Sequence, residues 1–355
     1  VSAETQLLSL FRPGRISPPA ICVEMSGNHQ GSREAAVRFA RAAKSAGADL
    51  LKVQVYRPDT ITIRSDAPDF RISADNDWSS YKTLYELYEK AHTPWDWITS
   101  VFEESRRIDL PVWASPFDPS AVEFLEELSC PMYKIASPEI TDLGLIEACA
   151  RTKKPVVMST GLASQSDLDE AVAVVRRYNA PLMILKCVSA YPTPVSDMNL
   201  LTIPWLREHY SCAVGLSDHT LGPEASYAAT VLGATMIEKH FRLPDDNSSV
   251  DATFSMSLDA LPALKNTITA VFNSLGEPTL EIPDIAKPSM SGRRSLYVVE
   301  NIRRGDRFTA DNVRSIRPCF GIPPKYLPDV IGCRASRDIR AGERLSWDLV
   351  YKRKY

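Results

Sequence analysis

The chain contains no apolar run approaching the length needed to cross a bilayer, roughly 18 residues, which argues against a helical membrane protein. Its seven cysteines are an odd number scattered without CxxC spacing, which argues against a disulfide framework or a zinc cluster. No GxGxxG follows any apolar segment, and the main argument for a dinucleotide cofactor falls with it. The stretch VSAETQLLSLFRPGRISPPA lacks the layout of a secretory signal, its only apolar patch being Leu7 to Phe11. A reducing cytoplasm is the expected compartment.

What is present is an ordinary globular composition at unusual internal balance. Hydrophobic residues make up 44% and charged residues 24%, so a large buried core is expected, and 355 residues leave room for two domains. The net charge of −3 hides an asymmetry: the segment from Arg293 onward carries +8, and everything before it −11. A basic tail can bind nucleic acid or dock on an acidic protein surface, and the acidic surface at hand is the same protein.

Eight short β-rich apolar segments alternate with helix-like stretches: Ala20–Met25, Leu50–Val55, Pro111–Ser115, Met132–Ala136, Pro155–Ser159, Leu182–Cys187, Cys212–Gly215 and Thr235–His240. Helix candidates between them include Arg33–Ser45, Ser120–Leu128, Ser166–Arg177 and Pro223–Leu232. Parallel strands need crossover connections, so this alternation predicts a parallel sheet. Eight units in about 250 residues fit a closed (β/α)₈ TIM barrel, an α/β fold, better than an open sheet. The longest insertion, Arg57–Ser80, follows the second strand and is a candidate lid. We expect the barrel over residues 1–276, a Pro-rich linker over 277–292 and a small β-rich domain over 293–355. In that tail IRRGDRFTADNV (302–313) and IRAGERLSWDLV (339–350) are internally similar, each with a Gly-Asp or Gly-Glu turn between apolar positions, and predict a pseudo-symmetric module.

In such a barrel, chemistry gathers at the C-terminal strand ends. Polar residues stand there on most strands: Glu24; Lys52 and Gln54; Lys134, Ser137 and Glu139; Ser159 and Thr160; Lys186 and Ser189; Ser217 and His219; Glu238 and His240. Each alone has a plain structural explanation, such as a serine capping the next helix or a lysine emerging into solvent. His219 and His240 end adjacent strands, and two neutral imidazoles suit a catalytic divalent ion, although each also suits a hydrogen-bonded core. Lys52 and Lys134 suit a ligand bearing phosphate and carboxylate, or one of them a Schiff base. Glu24 and Glu139 are acid/base candidates or helix caps.

The segments VEMSGNHQGS, GADLLKVQVY, SPFDPSAVEFLEEL, YKIASPEI, STGLAS, GLSDHTLG and ATMIEKHF resemble the sialic acid synthase family, in order and over nearly the whole chain. The tail, with SLYVVENIRRGDRFT, VRSIRPCFG and LSWDL, resembles that family's antifreeze-like (SAF) domain. Within the family, TLYELYEKAHTPW, KCVSAYPTP and SWDL are most similar to the branch that acts on 2,4-diacetamido-2,4,6-trideoxy-L-altrose; synthases of sialic or legionaminic acid are the neighbouring alternatives. A catalytically silent barrel that binds carbohydrate or nucleic acid is a rival of another class, disfavoured because Glu24, both lysines and both histidines are all present.

The resemblance implies a metal-dependent transferase that condenses phosphoenolpyruvate with an amino-sugar aldose, with no nucleic-acid or membrane partner. It implies Glu24 and Glu139 at the reacting centre, and phosphoenolpyruvate held by Lys52, Lys134, Ser137, Ser159, Ser189 and Ser217. Gln54 and Asp251 lie toward the sugar, and His219 and His240 hold the divalent ion, expected as Mn²⁺ with Mg²⁺ or Co²⁺ as alternatives. Arg317 of the RPxxG motif reaches the barrel of the other subunit in a domain-swapped homodimer, which would give the opposed charges a shared rationale. Two departures stand out: Cys319 occupies a position where the family usually has glycine, and RLPDDNSSVDATFSM around Asp251 is irregular.

Overall fold

The computed structural model describes residues 7–14, 17–73 and 78–351. The chain divides into two compact units, Val1–Gly276 and Glu277–Tyr355.

The first unit is a closed parallel barrel. Its strands are β1 (Ala20–Glu24), β2 (Leu50–Val55), β3 (Val112–Pro116), β4 (Tyr133–Ile135), β5 (Val156–Ser159), β6 (Leu182–Lys186), β7 (Ala213–Asp218) and β8 (Met236–Arg242). Each pairs with the next in sequence, and β1 pairs back onto β8, so no barrel edge is left open. A short β9 (Met256–Ser257) pairs in parallel with the end of β8 at Phe241 and Arg242. Seven of the eight expected strands fall within about a residue or two of the observed ends. The seventh runs on to Asp218 rather than stopping at Gly215, because Ser217 and Asp218 find buried hydrogen-bond partners that let polar residues remain in the ladder.

Several helices begin where the sequence supplies a capping side chain. Ser32 accepts from the Ala35 amide ahead of Arg33–Ala46, which ends at Gly47 in the left-handed region. Asp118 caps Pro119–Glu127, and Ser164 with Asp167 forms a capping box ahead of Gln165–Arg177. The segment after β2 makes one helical turn at Pro58–Ile61 before the helix Leu84–Ala91. The candidate lid, Arg57–Ser80, falls in part on residues 74–77, outside the described residues.

The second unit holds two antiparallel ladders, β10 (Ser295–Val298) with β11 (Val313–Ile316) and β12 (Arg334–Ala335) with β13 (Val350–Tyr351). Its internal repeat is structural. Ile302 and Ile339, equivalent positions of the two copies, exchange amide-to-carbonyl bonds of 2.9 and 2.8 Å. Gly305 and Gly342 take φ values of +89° and +93°, the turn conformation that favours glycine. Asp306 accepts from the Arg303 amide as Glu343 accepts from that of Arg340. Phe308 and Leu345, again equivalent, are both fully buried in one small core. Cys319 takes no positive φ, so the backbone there makes no demand for glycine.

Candidate active site at the barrel mouth

Strand alternation directs every second residue inward, and β1, β2, β4, β7 and β8 bring Glu24, Lys52, Lys134, Ser217 and Glu238 into one cluster. Lys52 Nζ lies 3.0 Å from Glu24 Oε2 and 3.5 Å from Glu238 Oε1, and donates to Ser115 Oγ at 3.2 Å. Lys134 Nζ donates to Glu238 Oε1 at 2.7 Å, and Ser217 Oγ donates to the same oxygen at 3.0 Å. These four charged side chains are each 5% exposed or less. Below them the Trp113 ring lies 5.9 Å from Lys52 Nζ, its indole N–H directed at Cys22 Sγ, and forms a floor.

The electrostatics follow from who touches whom. Burial opposes the charge of both lysines, but Lys52 meets two carboxylates and its pKa rises, whereas Lys134 has one and its pKa falls. Burial would also raise Glu238, yet Lys134 and Lys52 hold it well below the usual carboxylate range. Glu24 goes the other way: burial, helped by the Glu238 carboxylate, outweighs Lys52 and the more distant Lys134 and lifts it.

A second group lies beside this cluster. Gly161 donates its amide to Ser137 Oγ at 3.0 Å, and a Cβ on Gly161 would stand 2.2 Å from Ser189 Oγ and 2.8 Å from Ser137 Oγ. Glycine therefore leaves the space that the two hydroxyls occupy. Ser159 Oγ is buried with no partner. Two cations with a set of hydroxyls can hold a phosphate and a carboxylate on one small ligand.

The two histidines meet as their adjacent strands require, with ring centroids 5.4 Å apart. His219 Nδ1 is fixed at 2.8 Å from the Val188 carbonyl, which leaves Nε2 as the free lone pair. His240 is 9% exposed and its Nδ1 has no hydrogen-bond partner. Among the described residues no cluster of three or more His, Cys, Asp or Glu side chains could hold a metal. The pair by itself offers two imidazole nitrogens with the remaining positions open, which fits a catalytic ion better than a structural one.

Glu139, in the turn after β4, has a buried Oε2 with no partner, and burial pushes its pKa up to about 7. Asp251 is brought to the end of β1, where the Gly27 amide donates to it at 3.0 Å. Burial raises its pKa against hydrogen bonds from Ser26 and Gly27. The irregular segment thus delivers Asp251 to the mouth. Gln54 is half-buried at the end of β2. Arg317 lies in the second unit, exposed at the end of β11.

Sequence reasoning underrated two features. Glu238 was one strand-end residue among many, yet it joins both lysines and Ser217; its signal was its place two residues before His240, on the same strand face. An aromatic wall was missed altogether. Tyr191 stands 4.4 Å from His219, Phe254 5.3 Å from His240, and Trp78 5.7 Å from Tyr191, all between ring centroids. Tyr191 lies within the KCVSAYPTP motif, but Phe254 and Trp78 sit in irregular stretches with no periodicity to mark them.

A model of the NeuB family matches residues 39–279. The chain belongs to the NeuB family. A SAF domain model matches residues 293–350, covering the pseudo-symmetric tail of this NeuB chain. The pseudaminic acid synthase of Helicobacter pylori is 41% identical over 338 residues, covering 94% of this chain and 98% of that protein. The pseudaminic acid synthase of Campylobacter jejuni subsp. jejuni serotype O:23/36 is 40% identical over 326 residues, covering 92% and 94%. Among solved structures, the N-acetylneuraminic acid synthetase of Leptospira borgpetersenii in complex with citrate is similar with a TM-score of 0.68 and 28% identity, covering 77% of this chain and 90% of that one.

Proposed function

We propose that this NeuB-family chain condenses phosphoenolpyruvate with diacetamido-trideoxy-altrose to give the nine-carbon sugar acid and phosphate. The observation that carries this reading is the pair of buried ammonium groups, Lys52 and Lys134, gathered at one barrel mouth with two imidazoles. The choice of sugar is supported by 41% and 40% identity to two pseudaminic acid synthases across almost the whole chain.

In this reading Lys52 and Lys134 take the phosphate and carboxylate of phosphoenolpyruvate, assisted by Ser137, Ser159, Ser189 and Ser217. Gln54, Asp251 and Glu24 orient the open-chain sugar. C3 of phosphoenolpyruvate bonds to the aldehyde carbon, and water adds its oxygen to C2, one of its protons replacing the one that Glu139 gives up and the other leaving with phosphate. The C2–O bond to phosphate then breaks, leaving a carbonyl at C2 of the product. Glu139, with a pKa near 7, delivers the proton that the aldehyde oxygen takes up as it becomes a hydroxyl. The fixed lysine charges stabilise charge as it develops, without reorganisation at the moment of reaction. His219 and His240 would hold a divalent ion, Mn²⁺ first and Mg²⁺ or Co²⁺ as alternatives, whose contribution is Lewis-acid polarisation of the carbonyl. Arg317 reaches the sugar end of a partner's barrel in a domain-swapped homodimer, drawn there by the opposed charges of tail and barrel. No helix of the described residues is long and apolar enough to cross a membrane; the expected setting is cytoplasmic.

The test is phosphate release from phosphoenolpyruvate with Mn²⁺, comparing diacetamido-trideoxy-altrose with N-acetylmannosamine, each with and without chelator. Release with the first sugar alone, lost on chelation, supports the reading. Release with N-acetylmannosamine moves the activity to sialic acid synthesis, and release with neither removes the proposal.

A further inference from the structure

On the face of β7 and β8 turned away from the barrel axis, the inward pattern has a counterpart. Asp218 and Lys239 are register partners across the two strands, and each immediately precedes one of the paired histidines. The other outward positions nearby, Val214, Leu216, Ile237 and Phe241, are apolar and buried. The two charged residues are buried as deeply, at 1% exposure each.

Lys239 Nζ lies 3.2 Å from Asp218 Oδ2 and donates to the Thr220 carbonyl. The ammonium is thus bound to the residue before His219 and to the residue after it. Asp218 is held in turn. Its Oδ1 accepts from the Thr220 amide at 2.9 Å and from Thr220 Oγ1 at 2.7 Å. Its Oδ2 accepts from Ser226 Oγ, on the helix Glu224–Val231, at 2.7 Å. Burying charge is costly where apolar side chains of similar size would pack, so the pair is not accounted for by stability, and what it visibly does is fix one geometry. That geometry here is the spacing of two backbone segments whose next residues are His219 and His240.

We propose that Lys239 is a positioning residue: its ammonium ties the Asp218 carboxylate and the Thr220 carbonyl, on either side of His219, to the strand that carries His240, and so sets the affinity of the imidazole pair for a divalent cation. This rests on the reading of that pair as a cation site given above. Loss of an outer partner that orients metal ligands typically lowers affinity by about 10–100-fold.

The test uses the full-length protein without phosphoenolpyruvate or sugar. Mn²⁺ binding is read from the electron paramagnetic resonance of free Mn²⁺, beside a thermal melt of each variant. Wild type binds the ion and His240→Ala does not; a wild type that binds no Mn²⁺ overturns the cation reading and the clamp with it. Lys239→Met keeps the side-chain length, removes the charge, and is expected to bind Mn²⁺ at least about tenfold more weakly while still melting cooperatively. Lys239→Arg, which retains charge and donors, is expected to recover part of the affinity. Wild-type affinity in Lys239→Met overturns the clamp while leaving the cation site standing. Should Lys239→Met fail to fold, Ser226→Ala removes one anchor of Asp218 and leaves both charges; its Mn²⁺ affinity is expected to fall several-fold, and an unchanged value overturns the proposal.

Discussion

Glu238 joins Lys134 at 2.7 Å while standing 3.5 Å from Lys52, so one buried carboxylate serves as counter-charge for two ammonium groups. Without it the lysines would face each other in a low-dielectric pocket with Glu24 as the remaining nearby anion. Removing one partner of a buried ion pair is more damaging than never having had the pair.

Glu238→Gln is therefore expected to destabilise the ligand-free protein by about 3 kcal/mol, measured by denaturant unfolding. Phosphoenolpyruvate, an anion, should restore part of that loss. Its stabilising effect on the melting temperature should be larger in the variant than in wild type. An equal effect in both would show that Glu238 does not serve as the resident counter-charge of the phosphoenolpyruvate site.

Glu139 gives a pH prediction. Burial lifts its pKa to about 7, so the proton-carrying form prevails below that pH and the carboxylate above it. As a proton donor it must be protonated, and kcat/KM, which reports the groups of the free protein, is expected to fall as pH rises through about 7. Glu139→Gln should lower kcat by about 10²–10⁴-fold and abolish that limb of the profile. A variant retaining the same limb would assign it to another group.

Gly161→Ala tests the hydroxyl cradle. The new methyl would stand 2.2 Å from Ser189 Oγ and 2.9 Å from the Ser189 amide, which forces the serines apart. We expect KM for phosphoenolpyruvate to rise about tenfold to a hundredfold, with a smaller effect on KM for the sugar. Steady-state kinetics with each substrate varied in turn decides it. An unchanged phosphoenolpyruvate KM would place the phosphate elsewhere.

Much of the barrel was legible because its strands are short apolar runs bounded by helix caps, and those signals are local. The site was legible in part for the same reason: Lys52, Lys134, His219 and His240 are polar residues at the ends of apolar strands. What stayed hidden depended on partners far apart in sequence. Glu238 gains its importance from lysines on β2 and β4. Trp78 and Phe254 reach Tyr191 from loops whose course no periodicity records. Asp251 was placed by resemblance and found beside Gly27, more than two hundred residues away in sequence.

Arg317→Ala is expected to raise KM for the sugar much more than KM for phosphoenolpyruvate, if the arginine acts at the sugar end of a partner's barrel. Kinetics on both substrates, with sedimentation to follow assembly, provide the check. Equal effects on both would count against that placement.

The reciprocal bonds between Ile302 and Ile339 bear on how the tail folds. One copy of the repeat gives Ile302, Phe308 and Val313 to the shared core and the other Ile339, Leu345, Leu349 and Val350, and the two isoleucines meet where the copies join. Neither copy encloses that core by itself. The tail should therefore melt as one cooperative unit, and truncation between the copies should cost the whole domain rather than half of it.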